Sequence, residues 1–302
     1  MGGTAGRFWC RGSKAMSSSP LTVVSILHDP AVQADVDRWL AGQQRYRLVR
    51  CDPGRDPLTA LQEHGEAIDA LLLESGRFDP DQAQALRERG LLLPAVVIGP
   101  SATGTVDLHE AEVHLPADQL EQLSYSLDAA VSRFLMRSGG EQPLAEAAPG
   151  DVGLSERWRL ADRLQGRLGL AGVFFKRDSS RFLRHLPPQD AAELVGSLQR
   201  TYRDLLLHYF RDPAAANQAL ESFVNTAFFS DLPITKTIEI HMNLIDAFGK
   251  QLKLEGHRGD FLQDYRLALL DVLAHLCELY RRAIPPDPVV DRTPSEVSRS
   301  DR

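Results

Sequence analysis

The chain has little cysteine. Its three thiols, Cys10, Cys51 and Cys277, stand far apart in 302 residues and show no paired ligand spacing. That argues against a disulfide framework or a zinc site and fits a reducing, cytoplasmic setting. Basic residues are not in excess either. Lys and Arg number 34 against 41 Asp and Glu, a formal charge of −7, so no surplus cation is left to neutralise phosphates. Neither nucleic acid nor an anionic membrane surface is an expected partner. No apolar run approaches the roughly 20 residues that a membrane-spanning helix needs. The first 20 residues lack an apolar signal core, and Gly6 stands where a myristoylation pattern wants Ser or Thr. They read as a disordered tail, with Met16 as an alternative start.

What is present divides at about residue 136. With 43 % hydrophobic residues the chain is long enough to bury two cores. From 21 to 136, short apolar runs alternate with amphipathic segments, the pattern of a parallel α/β sheet. Strands are predicted at TVVSILH (22–28), YRLVRC (46–51), IDALLLE (68–74), PAVVIG (94–99) and EVHL (112–115). Helices are predicted at 30–42, 56–65, 79–90 and 116–136, while the stretch PSATGTVDLHEA lacks a helical period, so one crossover helix is expected to be missing or reduced. Residues 137–154 read as a linker rich in Gly, Pro and Ala. Beyond it only helical periods appear, over 155–285: at 155–168, near 179–185, and at 188–210, 213–229, 233–255 and 260–283. Residues 286–302 are too polar to pack and read as a second disordered tail. The fold class is thus a flavodoxin-like α/β half followed by an all-α four-helix bundle.

In layout the first half resembles a response-regulator receiver, whose phosphorylated Asp ends strand three beside an acidic pair, a hydroxyl and a Lys. This chain departs at every one of those positions. His28-Asp29 replaces the acidic pair, Glu74 replaces the Asp, Gly99 the hydroxyl residue and Leu115 the Lys. One carboxylate is a poor match for a hard cation, and the extra methylene of Glu74 takes its oxygens off the in-line position. The half reads as a pseudo-receiver without phosphotransfer. The alternative use of His28, Asp29 and Glu74 as a metal site lacks any fixed ligand spacing, so solvated acids beside a loop histidine are the preferred reading.

In the helical half, Ile234, Ile238, His241, Ile245, Phe248 and Leu252 recur at spacings of three and four. They predict a core-facing seam with His241 as a hydrogen-bonded core residue. On the last helix, Leu262, Leu269, Leu273, Leu276 and Tyr280 make one apolar face and Phe261, Tyr265, Ala268, Val272 and Leu279 a second, with Asp264, Asp271 and Glu278 opposite. That is more apolar surface than a peripheral helix needs, which implies a central position or a self-association surface. Neither His241 nor His275 carries the Lys and Gly that a histidine phosphotransfer module places after its histidine. Phe228 and Phe229, at a helix end, are either core residues or the rim of a peptide site.

The segments GVFFKRDSSRFLRHLP (172–187), FVNTAFFSDLPITKTIEIHM (223–242) and LEGHRGDFLQDYRLALLDVLAHLCELYRRAIP (254–285) closely resemble the KaiA family of cyanobacterial circadian clock proteins. The likeness is strong over 155–285 and mainly architectural over 21–136. It implies a homodimer without catalysis of its own, which binds the C-terminal tail of the KaiC kinase/ATPase near the dimer interface and stimulates its autophosphorylation. KaiB bound to KaiC is implied to counteract it. The resemblance places Phe228, Phe229, Met242, Asp246, Lys253, Arg258, His275 and Glu278 at the tail-binding groove and Leu160 and Arg163 at the contact with KaiB. Residues 148–152 would fold back over the groove. It implies no cofactor, although oxidised quinone enters as a regulatory ligand of the family's pseudo-receiver. A binder of only the extended tail would shift its balance by differential affinity, with no catalytic residue required. The alternative is a two-component-type signalling protein with a degenerate receiver and another protein target.

Overall fold

The structure is a computed structural model. It describes residues 20–41, 43–52, 59, 61, 67–76, 81, 84–85, 93–99, 108, 112–139, 160, 163–164, 177–255 and 264–284. Five strands, β1 (Leu21–Ile26), β2 (Tyr46–Arg50), β3 (Ala70–Glu74), β4 (Ala95–Ile98) and β5 (Val113–Leu115), form one parallel sheet in the order β2-β1-β3-β4-β5. They lie where the apolar runs predict. Burial on both faces explains why those runs are continuous: every residue of β1 and β4 is buried. The order reverses between β1 and β3, so their carboxyl ends flank the crevice where a sheet of this topology places its chemistry.

Helix α1 (Pro30–Leu40) begins as its sequence dictates. The Asp29 side chain accepts from the Ala31 N–H at 2.8 Å, and Pro30 occupies the first turn. The predicted helices at 56–65 and 79–90 and the connection between β4 and β5 lie almost wholly outside the described residues. The segment predicted as one helix over 116–136 is instead two elements, a 3-10 stretch Ala117–Gln122 broken at Gln119 and the α-helix α2 (Leu123–Gly139). The break turns two glutamines into the helical half. There Gln122 donates to Ser197 (2.9 Å) and Thr201 (2.7 Å) and accepts from Thr226 (2.7 Å), while Gln119 donates to Asp204 at 3.1 Å.

The helical half holds α3 (Pro188–His208), α4 (Pro213–Phe229), α5 (Ile234–Leu254) and α6 (Arg266–Ala283), preceded by 3-10 turns at Ser179–Arg181 and Leu183–His185. Pro opens α3 and α4, and Asp212 caps α4 by accepting from Ala214 and Ala215 N–H, both at 3.1 Å. The two halves meet along α2, whose residues from Leu123 to Ser132 are all buried. On one side Asp128 of α2 accepts from the Tyr46 hydroxyl at 2.7 Å and pairs with Arg45 at 3.0 Å; on the other it takes Arg181 of the helical half. Asp128 is 3 % exposed. Burial pulls the Arg45 guanidinium down, and the negative charges around it, Asp128 first with Tyr46 and Asp178, together outweigh that pull, so its pKa ends above the usual value. Burial also pushes the Tyr125 hydroxyl beside this cluster up to about 12.

The predicted seam of α5 requires correction. Its buried residues are Thr237, Ile240 and His241, whereas Ile234, Ile238 and Met242 are exposed. The stripe is wider than its packing partners in this chain, so one edge of it meets α3 and α6 and the other meets solvent. On α6 the buried line is Ala268, Val272 and Leu276. Leu267 and Leu270 are exposed on the side that carries Asp271 and Glu278.

Candidate functional site

At the position of a receiver's phosphorylated Asp, Glu74 turns away from solvent. Its extra methylene lets the carboxylate reach the β1–α1 connection, where it accepts from the backbone N–H of His28 at 2.7 Å and of Asp29 at 3.2 Å. These amides precede the N-terminus of α1, where the helix dipole favours a negative charge. The acid therefore braces the sheet edge. His28 Nδ1 lies 3.7 Å from the same carboxylate. Gly99 has φ +146°, and a Cβ there would stand 2.9 Å from Ser75 Cβ, so a Ser or Thr hydroxyl does not fit this backbone. Leu115 is fully buried. Among the described residues, no pair of groups at this edge stands in the arrangement that in-line phosphoryl transfer needs.

A different site lies in the helical half. A cavity of about 310 Å3 opens between α4 and α6 and is lined by Phe229 from the first helix and His275, Glu278, Leu279 and Arg282 from the second. Three of the residues proposed for a tail groove thus share one cavity. Glu278 accepts from Arg281 (2.7 and 2.6 Å) and Arg282 (2.7 Å). Those hydrogen bonds hold its carboxyl at about 2, so it stays ionised across the physiological range. His275 Nδ1 stands 2.8 Å from the Asp271 carbonyl, which only accepts. Nδ1 is therefore the donor in this contact.

Phe228 is fully buried and Phe229 nearly so, which decides between the two sequence readings for Phe228: within this chain it is core. It packs edge to face on Phe229 and on Tyr280 of α6, both with centroids 5.1 Å apart. The Arg177 guanidinium lies over Phe182, Phe228 and Tyr280 at 5.0–5.2 Å and pairs with Asp231 at 2.7 Å. This stack fixes the spacing of α4 and α6 and so the width of the cavity.

Other predicted residues are elsewhere. Met242, Asp246 and Lys253 lie on α5, away from the cavity; Met242 is 59 % exposed and Asp246 pairs with Lys250 at 2.6 Å. Arg258 lies outside the described residues, as do 148–152. Leu160 is buried, and Arg163 donates to the Ile68 carbonyl at 2.6 Å and to Asp69 at 3.3 Å, on the α/β half. Sequence reasoning missed Arg133 and Met136 of α2 and Glu221 and Asn225 of α4, which also line the cavity. The signal was present in the small and apolar residues all round α2, which mark a helix enclosed on every side. A larger cavity of about 510 Å3 between α1 and α3 holds none of the predicted residues.

A receiver-type sheet with its phosphorylation position tied up, joined to an all-α half with a cavity among its helices, defines a two-domain protein of the pseudo-receiver type. Two family models match the chain, "Circadian clock protein KaiA, N-terminal domain" over residues 21–138 and "KaiA C-terminal domain" over 166–287. A circadian clock oscillator protein KaiA of Parasynechococcus marenigrum (strain WH8102) is 52 % identical over 277 residues, 90 % of this chain and 92 % of the relative. Its counterpart in Synechococcus elongatus is 41 % identical over 282 residues, 88 % and 98 %. The crystal structure of the C-terminal domain of Thermosynechococcus elongatus BP-1 KaiA has 47 % sequence identity and a TM-score of 0.31, covering 35 % of this chain and 99 % of that one. The chain belongs to the KaiA family of circadian clock proteins.

Proposed function

We propose that this protein is a clock regulator that binds the C-terminal tail of the KaiC kinase in the cavity between α4 and α6, stimulates KaiC autophosphorylation, and is counteracted by KaiB. The observation that carries the reading is the convergence of Phe229, His275 and Glu278 on one cavity. Its apolar floor suits a hydrophobic anchor of the tail, and its ionised rim fixes the register. The tied-up Glu74 supports action without bond chemistry. The regulator shifts the tail from a restraining form to a captured one, by no more than the difference in its affinity for the two.

The same reading makes the protein a homodimer. The exposed edge of α5, with Ile234, Ile238 and Met242, is an apolar surface of the kind a second copy buries, which supports a dimer interface that takes in Met242. Contact of KaiB with Leu160 and Arg163 requires that segment to leave Asp69 and the sheet, so KaiB would compete with the protein's own α/β half. The test is titration of the full chain with a peptide copying the KaiC tail, alongside an autophosphorylation assay. Glu278→Lys is expected to weaken binding and stimulation together without unfolding the helices. Wild-type behaviour of that variant removes Glu278 from the site, and absence of stimulation by the wild type removes the function.

A further inference from the structure

The cavity that gathers Phe229, His275 and Glu278 is not closed by the helical half alone. Its third wall is α2, the last helix of the α/β half, through Ala129, Ser132, Arg133 and Met136. These positions follow one another at spacings of three, one and three, so they share one face of the helix. Resting on the tail-binding reading above, we propose that this face is part of the binding site and that Arg133 and Met136 touch the bound tail.

Ala129 and Ser132 are small, and their size leaves the space between α2 and α4 that larger side chains would fill. Arg133 straddles the two halves. Its Nη1 donates to the Glu112 carbonyl, just before β5, at 3.1 Å, and its Nη2 donates to the Glu221 carboxylate of α4 at 2.7 Å. Met136 is half-buried at the end of the wall, with an unbranched side chain that can repack around an incoming group.

The chemistry of the three walls names the ligand class. Two arginines, Arg133 and Arg282, are each paired with an acid, Glu221 and Glu278, around an apolar floor that includes Val224, Phe229 and Leu279. A peptide segment with an apolar anchor between polar or charged residues matches this surface, since its charges exchange with ion pairs already present. One consequence is specific to the shared wall. A displacement of β5 moves the carbonyl that holds Arg133, so the α/β half acts on the tail by direct contact rather than through a distant path.

The experiment uses the full chain and a synthetic peptide copying the KaiC tail, labelled for anisotropy and carrying a photoreactive benzophenone at its apolar anchor. Wild type, Glu278→Lys, Met136→Ala and the cavity-filling Ser132→Leu are titrated, and cross-links are located by mass spectrometry. Met136→Ala and Ser132→Leu are each expected to weaken binding roughly tenfold, and the benzophenone to label α2. Circular dichroism separates a lost contact from a lost fold, and the cross-link on the wild type needs no variant at all. If Glu278→Lys weakens binding while both α2 variants match wild type and α2 is unlabelled, α2 is overturned as a wall and the tail-binding reading stands. Tighter binding by the α2 variants also overturns it, because α2 is then a lid. A wild type that does not bind the peptide overturns the underlying reading and this inference with it.

Discussion

One methylene decides what the sheet edge does. An Asp at position 74 would point its carboxylate outward from β3, but Glu74 reaches across to the His28 and Asp29 amides and becomes a brace. Glu74→Asp is therefore expected not to restore phosphorylation: incubation with labelled acetyl phosphate should leave the variant unlabelled, because Gly99 and Leu115 still supply neither hydroxyl nor ammonium. Glu74→Ala should lower stability by about 1 kcal/mol in urea unfolding, the net value of a hydrogen-bonded group that water partly replaces. A second residue-scale effect concerns pH. His241 is 4 % exposed, its Nδ1 lies 3.1 Å from the Tyr202 hydroxyl, and burial holds its pKa below the ordinary value. The unfolded chain then binds the proton more readily than the folded one, so stability rises with pH and is lost as pH falls below the unfolded value of about 6.5. Urea midpoints measured between about pH 7.5 and 5.5 should fall more steeply for wild type than for His241→Gln. Glu278, held at about 2, contributes no change in that window.

Among the elements, α5 shows what periodicity reveals and where it stops. The recurrence of Ile234, Ile238, His241 and Ile245 announces an amphipathic helix, and the helix is there. The period does not say which part of a wide apolar arc its own chain covers. Only the placement of α3 and α6 settles that, and it buries Thr237, Ile240 and His241 while leaving Ile234, Ile238 and Met242 out. The strands were more legible because a sheet covered on both faces writes each strand as a continuous apolar run. The positions compared with a receiver's could be located because they sit at or beside strand ends, whose order follows from the α/β pattern. The cavity was only half legible: Phe229, His275 and Glu278 came through resemblance, whereas α2 belongs to the other half of the chain and no local pattern joins it to α6. Met242→Lys follows from the exposed edge of α5. Its side chain meets mainly solvent in the single chain, so the charge should leave the helical content unchanged by circular dichroism. In the dimer proposed above the charge would be buried without a partner, so sedimentation equilibrium is expected to report a dimer for wild type and a monomer for the variant at the same concentration. Unchanged mass for the variant would place the self-association surface elsewhere.

At the scale of the whole molecule, the question is whether the two halves are held by area or by a few polar groups. Asp128 answers to both: Arg45 and Tyr46 reach it from the sheet, and Arg181 reaches it from the helical half. All three partners are mostly buried, so removing the carboxylate leaves two guanidinium groups in a site with little water. Asp128→Ala is expected to cost about 3–5 kcal/mol, the penalty of breaking a buried pair on one side. Arg181→Met removes the Asp128 link between the halves together with the looser pair of Arg181 and Asp178 at 3.5 Å, and leaves Asp128 with Arg45 and Tyr46, so its loss should be smaller, about 1–3 kcal/mol. The glutamine network of Gln119 and Gln122 remains in both variants and acts as a second fastening. Small-angle scattering should then show a larger radius for Asp128→Ala than for wild type, with circular dichroism retained, as the halves part along α2. If both variants instead keep the wild-type radius while losing stability, the polar cluster stabilises each half separately, and the docking of the halves rests on the glutamines and the apolar burial of α2.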